Sequence, residues 1–226
     1  MLPIQFAIGI TNDVFDRRDD AAGKPYKPLV RGVVSRRVAT EAAVILALTG
    51  LAVASTVNAL TFGLSAGGLA AGLAYDAGLR RTPLSWVPWW AGISLLPLAA
   101  FASVGRFGGR LGVVIPLAGL IAIALHLANA APDIAADRAG GRRTLPVVLG
   151  SVWSRRLAIA GLAAVTAAAV VLAVPLGQNL GAVGGAAGLV AAVLVVLAVL
   201  RPARPFPPLA VATAVLAITW LAALPV

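Results

Sequence analysis

The chain has 226 residues, of which 60% are hydrophobic and only 12% are charged. Soluble domains are about 45–50% apolar and about 25% charged, so this composition excludes a water-soluble globule, and it also excludes a disordered chain. The chain has no cysteine, which excludes disulfides, thiolate nucleophiles and cysteine-ligated zinc. In so apolar a chain, the net charge of +10 indicates basic loops beside anionic lipids, and it does not indicate nucleic-acid binding.

Seven apolar segments are predicted to be membrane-spanning helices, because a spanning helix needs about 20 mainly apolar residues. In chain order they cover 38–57, 59–79, 84–104, 111–131, 157–174, 180–200 and 206–224. The first eleven residues are apolar but too short to span, so we interpret them as the last part of a helix. The predicted fold class is an all-α membrane protein, a multi-pass bundle of seven full helices and an N-terminal partial helix. We expect residues 1–226 to form one integral-membrane domain.

The basic residues predict the orientation of these helices. Of the 18 Lys and Arg residues, only Arg106 and Arg110 lie outside the alternate loops that precede the first span and follow the second, fourth and sixth. Arg201 and Arg204 follow the sixth. By the positive-inside rule, these alternate loops lie on the cytosolic side of the cell membrane, and the C-terminus lies on the other side.

Two acidic stretches lie at apolar helix ends on the predicted cytosolic side, NDVFDRRDD at 12–20 and NAAPDIAAD at 129–137. Each contains one Asn and two Asp residues at intervals of four, which places them on one face of a helix. The two sets are Asn12, Asp16, Asp20 and Asn129, Asp133, Asp137. Such strips are suited to Mg²⁺, which takes hard oxygen ligands and shares them with substrate phosphates. The alternative is that they are solvated loop ends neutralised by neighbouring arginines.

These motifs resemble those of the UbiA-type intramembrane prenyltransferases. NDVFDRRDD matches their NDxxDxxxD signature, and DIAAD followed by RAGGRRTLPVVLG resembles their second DxxxD motif. KPYKPLVRGVVS, at 24–35, resembles the family's basic loop after the first motif, and YDAGLRRTPLSWVP, at 75–88, resembles its Tyr-plus-basic segment. The resemblance covers about residues 4–150 and implies transfer of an isoprenoid from its diphosphate to an aromatic or lipid-precursor acceptor, with Mg²⁺ as cofactor.

The resemblance also implies roles for individual residues. The implied metal ligands are Asn12, Asp13, Asp16, Asp20, Asp133 and Asp137. The implied diphosphate-binding residues are Lys27, Arg31, Arg80, Arg81 and Asn129. The implied catalytic residues are Asp16, Asp133 and Tyr75, although Tyr75 is equally compatible with a plain interfacial tyrosine. The expected partners are a prenyl diphosphate, the acceptor and membrane lipids, and no signal for an oligomeric state is found.

Two departures from the family pattern keep other functions open. We expect the family's first helix, which carries a diphosphate-binding Arg, and most of its second helix to be missing from this chain. Ala130 also stands where the second motif commonly has another Asp. A catalytically silent, truncated family member is therefore one alternative, and a cation-coupled transporter is another. A transporter is expected to have charges near the bilayer midplane, whereas these acids collect at helix ends. His126, the single histidine, is a candidate base or ligand within a helix.

Overall fold

The computed structural model describes residues 1–200 and 205–224, with the side chains of Asp19, Ala22, Gly23, Ala198 and Val199 left out. Arg201 and Arg204, on which part of the orientation prediction rests, lie outside the described residues. The described part is all-helical, with eight helices of at least 17 residues, one short helix and no strand. The helices are α1 Leu2–Gly23, α2 Arg36–Val57, α3 Ala59–Ala77, α4 Val87–Ser103, α5 Val114–Ala130, α6 Ile134–Ala139, α7 Leu145–Ala173, α8 Leu180–Leu200 and α9 Phe206–Ala222.

The all-helical fold class is confirmed, and each of the seven predicted segments corresponds to a helix. Four helical stretches of the described chain are long and apolar enough to span a membrane: Arg36–Val57, Gly109–Ala139, Leu145–Ala173 and Leu180–Leu197. Val87–Ser103 and Phe206–Ala222 are shorter apolar helices. The number of spans stays a prediction. Beyond the eleven apolar residues that we interpreted as a helix end, α1 continues through the whole first acidic stretch to Gly23.

The chain divides into two compact units, and the first contains Met1–Arg80 and Leu95–Phe107. Within it, α1 packs on α2 and α3, which pack on each other. Two side chains start these helices by capping their N-termini: Ser35 Oγ accepts from Val38 N at 3.2 Å, and Asn58 Oδ1 accepts from Thr61 N at 2.7 Å. Such caps satisfy amide donors that have no partner within the helix.

Two glycines let α1 approach its neighbours closely. A Cβ at Gly72 of α3 would lie 2.6 Å from Ile8 Cδ1, and a Cβ at Gly50 of α2 would lie 2.5 Å from Ile4 Cγ1. Ile4 is 1% exposed, so α1 is anchored by its apolar first half. Small residues at helix contacts permit this approach in membrane bundles. The packing fixes α1 against α3 and so determines which polar groups meet at their ends.

The second unit contains 81–94 and the described residues from Gly108 onward. Within it, α7 packs on α5 and α8, and α9 packs on α8 and α5. α7 begins at Leu145, well before the predicted start at 157, with Thr144 as its N-cap. Gly150 has φ +79°, a left-handed conformation that favours glycine, and it interrupts the helix there. The chain therefore changes direction at Gly150 before the longer apolar part of α7.

Candidate active site

The first acidic stretch lies in the second half of α1. Asn12, Asp13 and Asp16 are partly buried, and Asp20 is 6% exposed near the helix end. The predicted helical spacing is therefore present, and it places Asn12, Asp16 and Asp20 along one side of α1. Like charges at this spacing repel one another, so the acidic face requires positive partners.

Lys27 joins two of these carboxylates. Its Nζ lies 2.6 Å from Asp13 Oδ1 and 2.6 Å from Asp20 Oδ2. The Lys27 side chain is only 20% exposed and that of Asp20 only 7%. The chain reaches this position because it turns immediately after Gly23 and returns through Pro28, where Arg17 Nε also donates to the Leu29 carbonyl. The predicted diphosphate-binding residue Lys27 therefore forms a positively charged centre between two of the predicted metal ligands.

This pairing shifts the pKa values of both partners. Burial alone raises the pKa of Asp20, but the hydrogen bond and charge of Lys27 outweigh burial and hold the pKa below its ordinary value of 3.8. Burial likewise lowers the pKa of Lys27, and its bonds to Asp13 and Asp20 outweigh that effect and raise the pKa above 10.5. Both groups stay charged throughout the neutral range.

We predict a specific pH dependence of stability for Asp20→Asn. The ion pair of Asp20 contributes stability that is fully present above pH 3.8 and is lost as the pH falls through the lower pKa of the folded state. Asp20→Asn should therefore lower the stability by about 1–3 kcal/mol, between the values for exposed and buried pairs, and by equal amounts at pH 6 and pH 8. Thermal unfolding in detergent measures this. If the difference in stability between Asp20→Asn and wild type grew on acidification below pH 4, this prediction would be wrong.

Asp16 has a separate cation. Its Oδ1 forms an ion pair with Arg80 Nη1, and these side chains are 21% and 11% exposed. Arg80 directly follows α3 in a short 3-10 turn, Leu79–Arg81, so the α1–α3 packing aligns the two groups. A guanidinium group can bind a carboxylate or a phosphate through paired N–H donors. Asp16 and Arg80, predicted from different motifs, are therefore brought together within the first unit.

Asp76 is a buried carboxylate beside the predicted metal ligands that the sequence analysis did not single out. It is 3% exposed, and its Oδ1 accepts a hydrogen bond from Asn12 Nδ2 at 2.9 Å. Its Oδ2 is buried without a hydrogen-bond partner among the described residues. The bond from Nδ2 directs the amide oxygen of Asn12 away from Asp76. The signal was available, because a carboxylate inside an apolar helix is costly and is a functional candidate by default.

The donor chemistry of α1 fits a divalent metal ion. No group of three or more His, Cys, Asp or Glu side chains that could hold a metal ion is present among the described residues. The face does offer carboxylate oxygens and the Asn12 amide oxygen, which are the hard ligands that Mg²⁺ takes. The space between Asp13 and Asp20 already holds one positive charge, the Lys27 ammonium. A metal ion bound by these oxygens would therefore have to replace the Lys27 ammonium there.

The second acidic stretch is not one continuous helix. α5 ends at Ala130, a 3-10 turn covers Ala131–Asp133, and α6 covers Ile134–Ala139. Pro132 lacks an N–H donor, so the α-helical hydrogen bonding is interrupted at this turn. The predicted single strip of Asn129, Asp133 and Asp137 is therefore split between a helix end, a turn and a second helix.

Asp133 and Asp137 differ in their surroundings. Asp133 is exposed, whereas Asp137 Oδ1 accepts from Arg142 Nη1 at 2.9 Å and its carbonyl accepts from Arg142 N at 2.9 Å. Arg142 belongs to the loop that resembles the family's second-motif flank. This carboxylate–guanidinium pair is a second acidic group with its own cation, within the second unit.

The other predicted residues have simpler placements. Tyr75 is half-buried in α3, next to Asp76, and Asn129 is exposed at the end of α5. Arg31 is exposed, and its amide donates to the Lys27 carbonyl at 3.0 Å. The Arg81 carbonyl accepts from Arg143 N at 3.2 Å. The structure thus brings Asp13, Asp16, Asp20, Lys27 and Arg80 into paired contacts and leaves the catalytic role of Tyr75 a prediction.

His126 is a buried polar group of the second unit. It is 4% exposed, its Nε2 lies 2.8 Å from Ser85 Oγ, and its ring lies 5.6 Å from that of Trp89. Its Nδ1 has no hydrogen-bond partner among the described residues. These contacts account for His126 as a packed core residue, and its role as base or ligand stays a prediction.

The fold and its acidic helix ends are those of a multi-helix membrane protein. The solved apo structure of a UbiA homolog from Aeropyrum pernix K1 matches with a TM-score of 0.76 at 20% identity, covering 97% of this chain and 85% of that one. A second structure, described as concerning digeranylgeranylglyceryl phosphate synthase in membranes, matches with a TM-score of 0.69 at 14% identity, covering 98% and 84%. At these identities the matches establish the fold.

The sequence comparisons establish the family. The model of the UbiA prenyltransferase family matches residues 1–208, and the chain belongs to this family. Digeranylgeranylglyceryl phosphate synthase of Halobacterium salinarum is 36% identical over 160 residues, which is 70% of this chain and 56% of that protein. The synthase of the same description from Pyrococcus furiosus is 33% identical over 179 residues, which is 75% and 61%. The chain thus spans less than two thirds of the length of these curated relatives.

Proposed function

We propose that this chain catalyses Mg²⁺-dependent transfer of a prenyl group from an isoprenyl diphosphate to a lipid-precursor acceptor inside the membrane. The observation that carries the proposal is the acidic face of α1, whose carboxylates are paired with Lys27 and Arg80. A site that binds a metal diphosphate needs both negative groups for the metal and positive groups for the phosphates. Membership of a prenyltransferase family supports the same function.

The proposed chemistry divides the work between these groups. The allylic C–O bond of the donor breaks, its electron pair stays with the diphosphate, and the acceptor forms the new bond and loses a proton. Bound magnesium supplies positive charge that stabilises the departing diphosphate. Asn12, Asp13, Asp16 and Asp20 hold the metal in this proposal, and Lys27 and Arg80 exchange their carboxylate partners for phosphate oxygens. Once paired with phosphate oxygens, these two cations stabilise the negative charge that develops on the diphosphate.

We assign Asp133 and Asp137 to a second metal–diphosphate contact of the same reaction. Arg142 is already bonded to Asp137, and in this proposal it also donates hydrogen bonds to the phosphate oxygens. Arg81, Arg31 and Asn129 complete the proposed diphosphate-binding set. Tyr75 is proposed to face the prenyl cation or the acceptor, because its ring combines an apolar body with a polar tip.

The acceptor that we propose is a lipid precursor and not an aromatic ring. The relatives reported above are described as digeranylgeranylglyceryl phosphate synthases, and a glycerol phosphate lipid is the acceptor class that this description suggests for the present chain. The basic loops and the helix ends that carry both motifs are proposed to lie on the cytosolic side of the cell membrane.

The direct test is binding of geranylgeranyl diphosphate to the purified chain in detergent, with and without Mg²⁺. We expect binding that requires Mg²⁺ and is abolished by EDTA, followed by turnover when a prenylated glycerol phosphate is added. Binding without turnover would support a silent family member. Failure to bind the diphosphate, combined with cation uptake into vesicles that contain the protein, would support the transport alternative.

We propose that Asp76 is a positioning residue, which orients the Asn12 amide, and two substitutions of Asp76 should affect Mg²⁺ binding to different extents. Asp76→Leu removes the acceptor of the Asn12 bond, so the amide oxygen is no longer held towards a metal. We expect the Mg²⁺ concentration for half-maximal rate to rise by about 10- to 100-fold, as for other groups that orient metal ligands. Asp76→Asn keeps an acceptor oxygen and should be affected less. Equal Mg²⁺ dependence in Asp76→Leu and wild type would contradict this role.

A further inference from the structure

A cavity of about 350 Å³ lies within the second unit, and none of the residues assigned above to the reaction is among its described lining residues, although Ala128 and Ala131 in its wall flank Asn129. It is lined by residues at the end of α5, in the first half of α7, near the end of α8 and at the start of α9. Its inner wall contains Ala158, Leu197 and Leu209, which are 3%, 3% and 1% exposed. Ser151 and Val152 line it from the surface, where both are exposed. The cavity is therefore an apolar recess that opens to the outside of the unit.

Arg155 places a positive charge in this recess. Its Nη2 donates to the Leu197 carbonyl, one of the last-turn carbonyls of α8 that lack a partner within the helix. A guanidinium has five N–H donors, and this bond uses one of them. No carboxylate is among the described residues that line the cavity. A cation beside apolar walls is costly unless an anion accompanies it. The Arg155 guanidinium therefore favours a negatively charged partner, which the described lining of the recess does not supply.

Arg156, the next residue in the chain, has different surroundings from Arg155. The Arg156 guanidinium carbon lies 5.4 Å from the ring centroid of Trp153, and Trp153 is 56% exposed. Arg156 therefore has an aromatic partner on the surface of α7 and does not line the cavity. The two adjacent residues have equal charge but different surroundings, which makes Arg156 a matched control.

We propose that this cavity binds an anionic phospholipid of the surrounding bilayer. The phosphate contacts the Arg155 guanidinium and the Ser151 hydroxyl, and part of one acyl chain lies against Ala158, Leu197 and Leu209. The guanidinium geometry matches phosphate oxygens, and the volume lies at the lower end of the range for ligand pockets. Basic pockets between membrane helices bind anionic lipid headgroups in other proteins. The apolar wall favours an amphiphile over free phosphate, because phosphate alone would leave that wall uncovered.

The test compares phosphatidylglycerol with phosphatidylcholine of identical acyl chains, added to the purified chain in detergent and followed by native mass spectrometry. We expect preferential binding of phosphatidylglycerol to the wild type. Arg155→Gln should weaken that binding by about tenfold or more, which corresponds to the loss of one charge-assisted phosphate contact. Arg156→Gln should bind like the wild type, and Arg155→Lys should show an intermediate loss.

A second variant keeps the test decisive if Arg155→Gln fails to fold. Ser151→Trp places a large ring at the exposed side of the cavity, and we expect weaker phosphatidylglycerol binding with an unchanged unfolding temperature in lipid-free detergent. Equal binding of both lipids, or unchanged phosphatidylglycerol binding in Arg155→Gln or in Ser151→Trp, would overturn the proposal. So would full competition by inorganic phosphate, which would indicate a simple anion site. Much tighter binding of a prenylated glycerol phosphate would reassign the cavity to the acceptor.

Discussion

Asp16→Asn is expected to lower the rate of Mg²⁺-dependent prenyl transfer by about 100-fold or more while leaving membrane insertion intact. The substitution preserves the shape of the side chain but removes its negative charge. The proposed metal ion therefore loses a charged oxygen ligand. It also leaves Arg80, only 11% exposed, without its carboxylate partner. Losing one fixed electrostatic contact to a reacting group commonly costs about 10²–10³ in rate. Initial rates in detergent or vesicles, at saturating prenyl diphosphate, measure the effect.

Glu41→Gln is the matched control for this measurement. Glu41 is also a helical carboxylate with an arginine partner, since its Oε1 lies 2.8 Å from Arg37 Nε, but these side chains are 55% and 88% exposed. Exposed pairs contribute little to stability, so the variant should retain the activity of the wild type. If Asp16→Asn were as active as Glu41→Gln, the metal assignment of the first motif would be wrong.

Asp133→Asn is the second substitution with a large expected effect, and it separates function from stability. Asp133 is exposed at the end of a 3-10 turn, and its carboxylate has no hydrogen-bond or ion-pair partner among the described residues. Its removal therefore breaks no contact of that part of the fold. If Asp133 binds magnesium during catalysis, we expect turnover to fall by about 100-fold while the unfolding temperature stays unchanged.

Asp137→Asn gives the comparison within the same motif. Asp137 is bonded to Arg142, so its substitution should lower both turnover and the unfolding temperature. Measuring both quantities for both variants distinguishes a metal ligand from a residue that only holds the loop. Normal turnover in Asp133→Asn would remove the second motif from the proposed mechanism, whatever the result for Asp137→Asn.

The composition and the hydrophobic segments were sufficient to predict the helices, because these depend on local features. Every predicted segment corresponds to a helix, and the boundaries at Val57 and at Leu180 agree with the prediction. Among the seven predicted spans, the largest boundary difference is the start of α7, which begins at Leu145 and not at 157, because the stretch that contains Arg155 and Arg156 is also helical. The positive φ at Gly150 could not be inferred from one glycine in a chain that contains 24 of them.

The motif spacing predicted the acidic face of α1 but not the partners of its carboxylates. Asp13 and Asp20 share Lys27 because the chain reverses between residues 23 and 28. Gly23, Pro25 and Pro28 indicate a turn there, but they do not specify which carboxylates Lys27 reaches. Asp16 meets Arg80, and Asn12 meets Asp76, only because Gly50 and Gly72 allow α1 to lie close to α2 and α3. These contacts join residues more than sixty positions apart, so no local pattern specifies them.

The amino-acid sequence was therefore enough to establish an apolar, all-helical chain of the UbiA family with two acidic motifs. Hydrophobicity and short-range spacing are properties of neighbouring residues, and they are visible without any packing. The choice of cation for each carboxylate, the buried position of Asp76 and the recess around Arg155 were settled by tertiary packing. Each of these features arises where separate helices meet, and such a meeting is determined by the shapes and charges of residues distant in the chain.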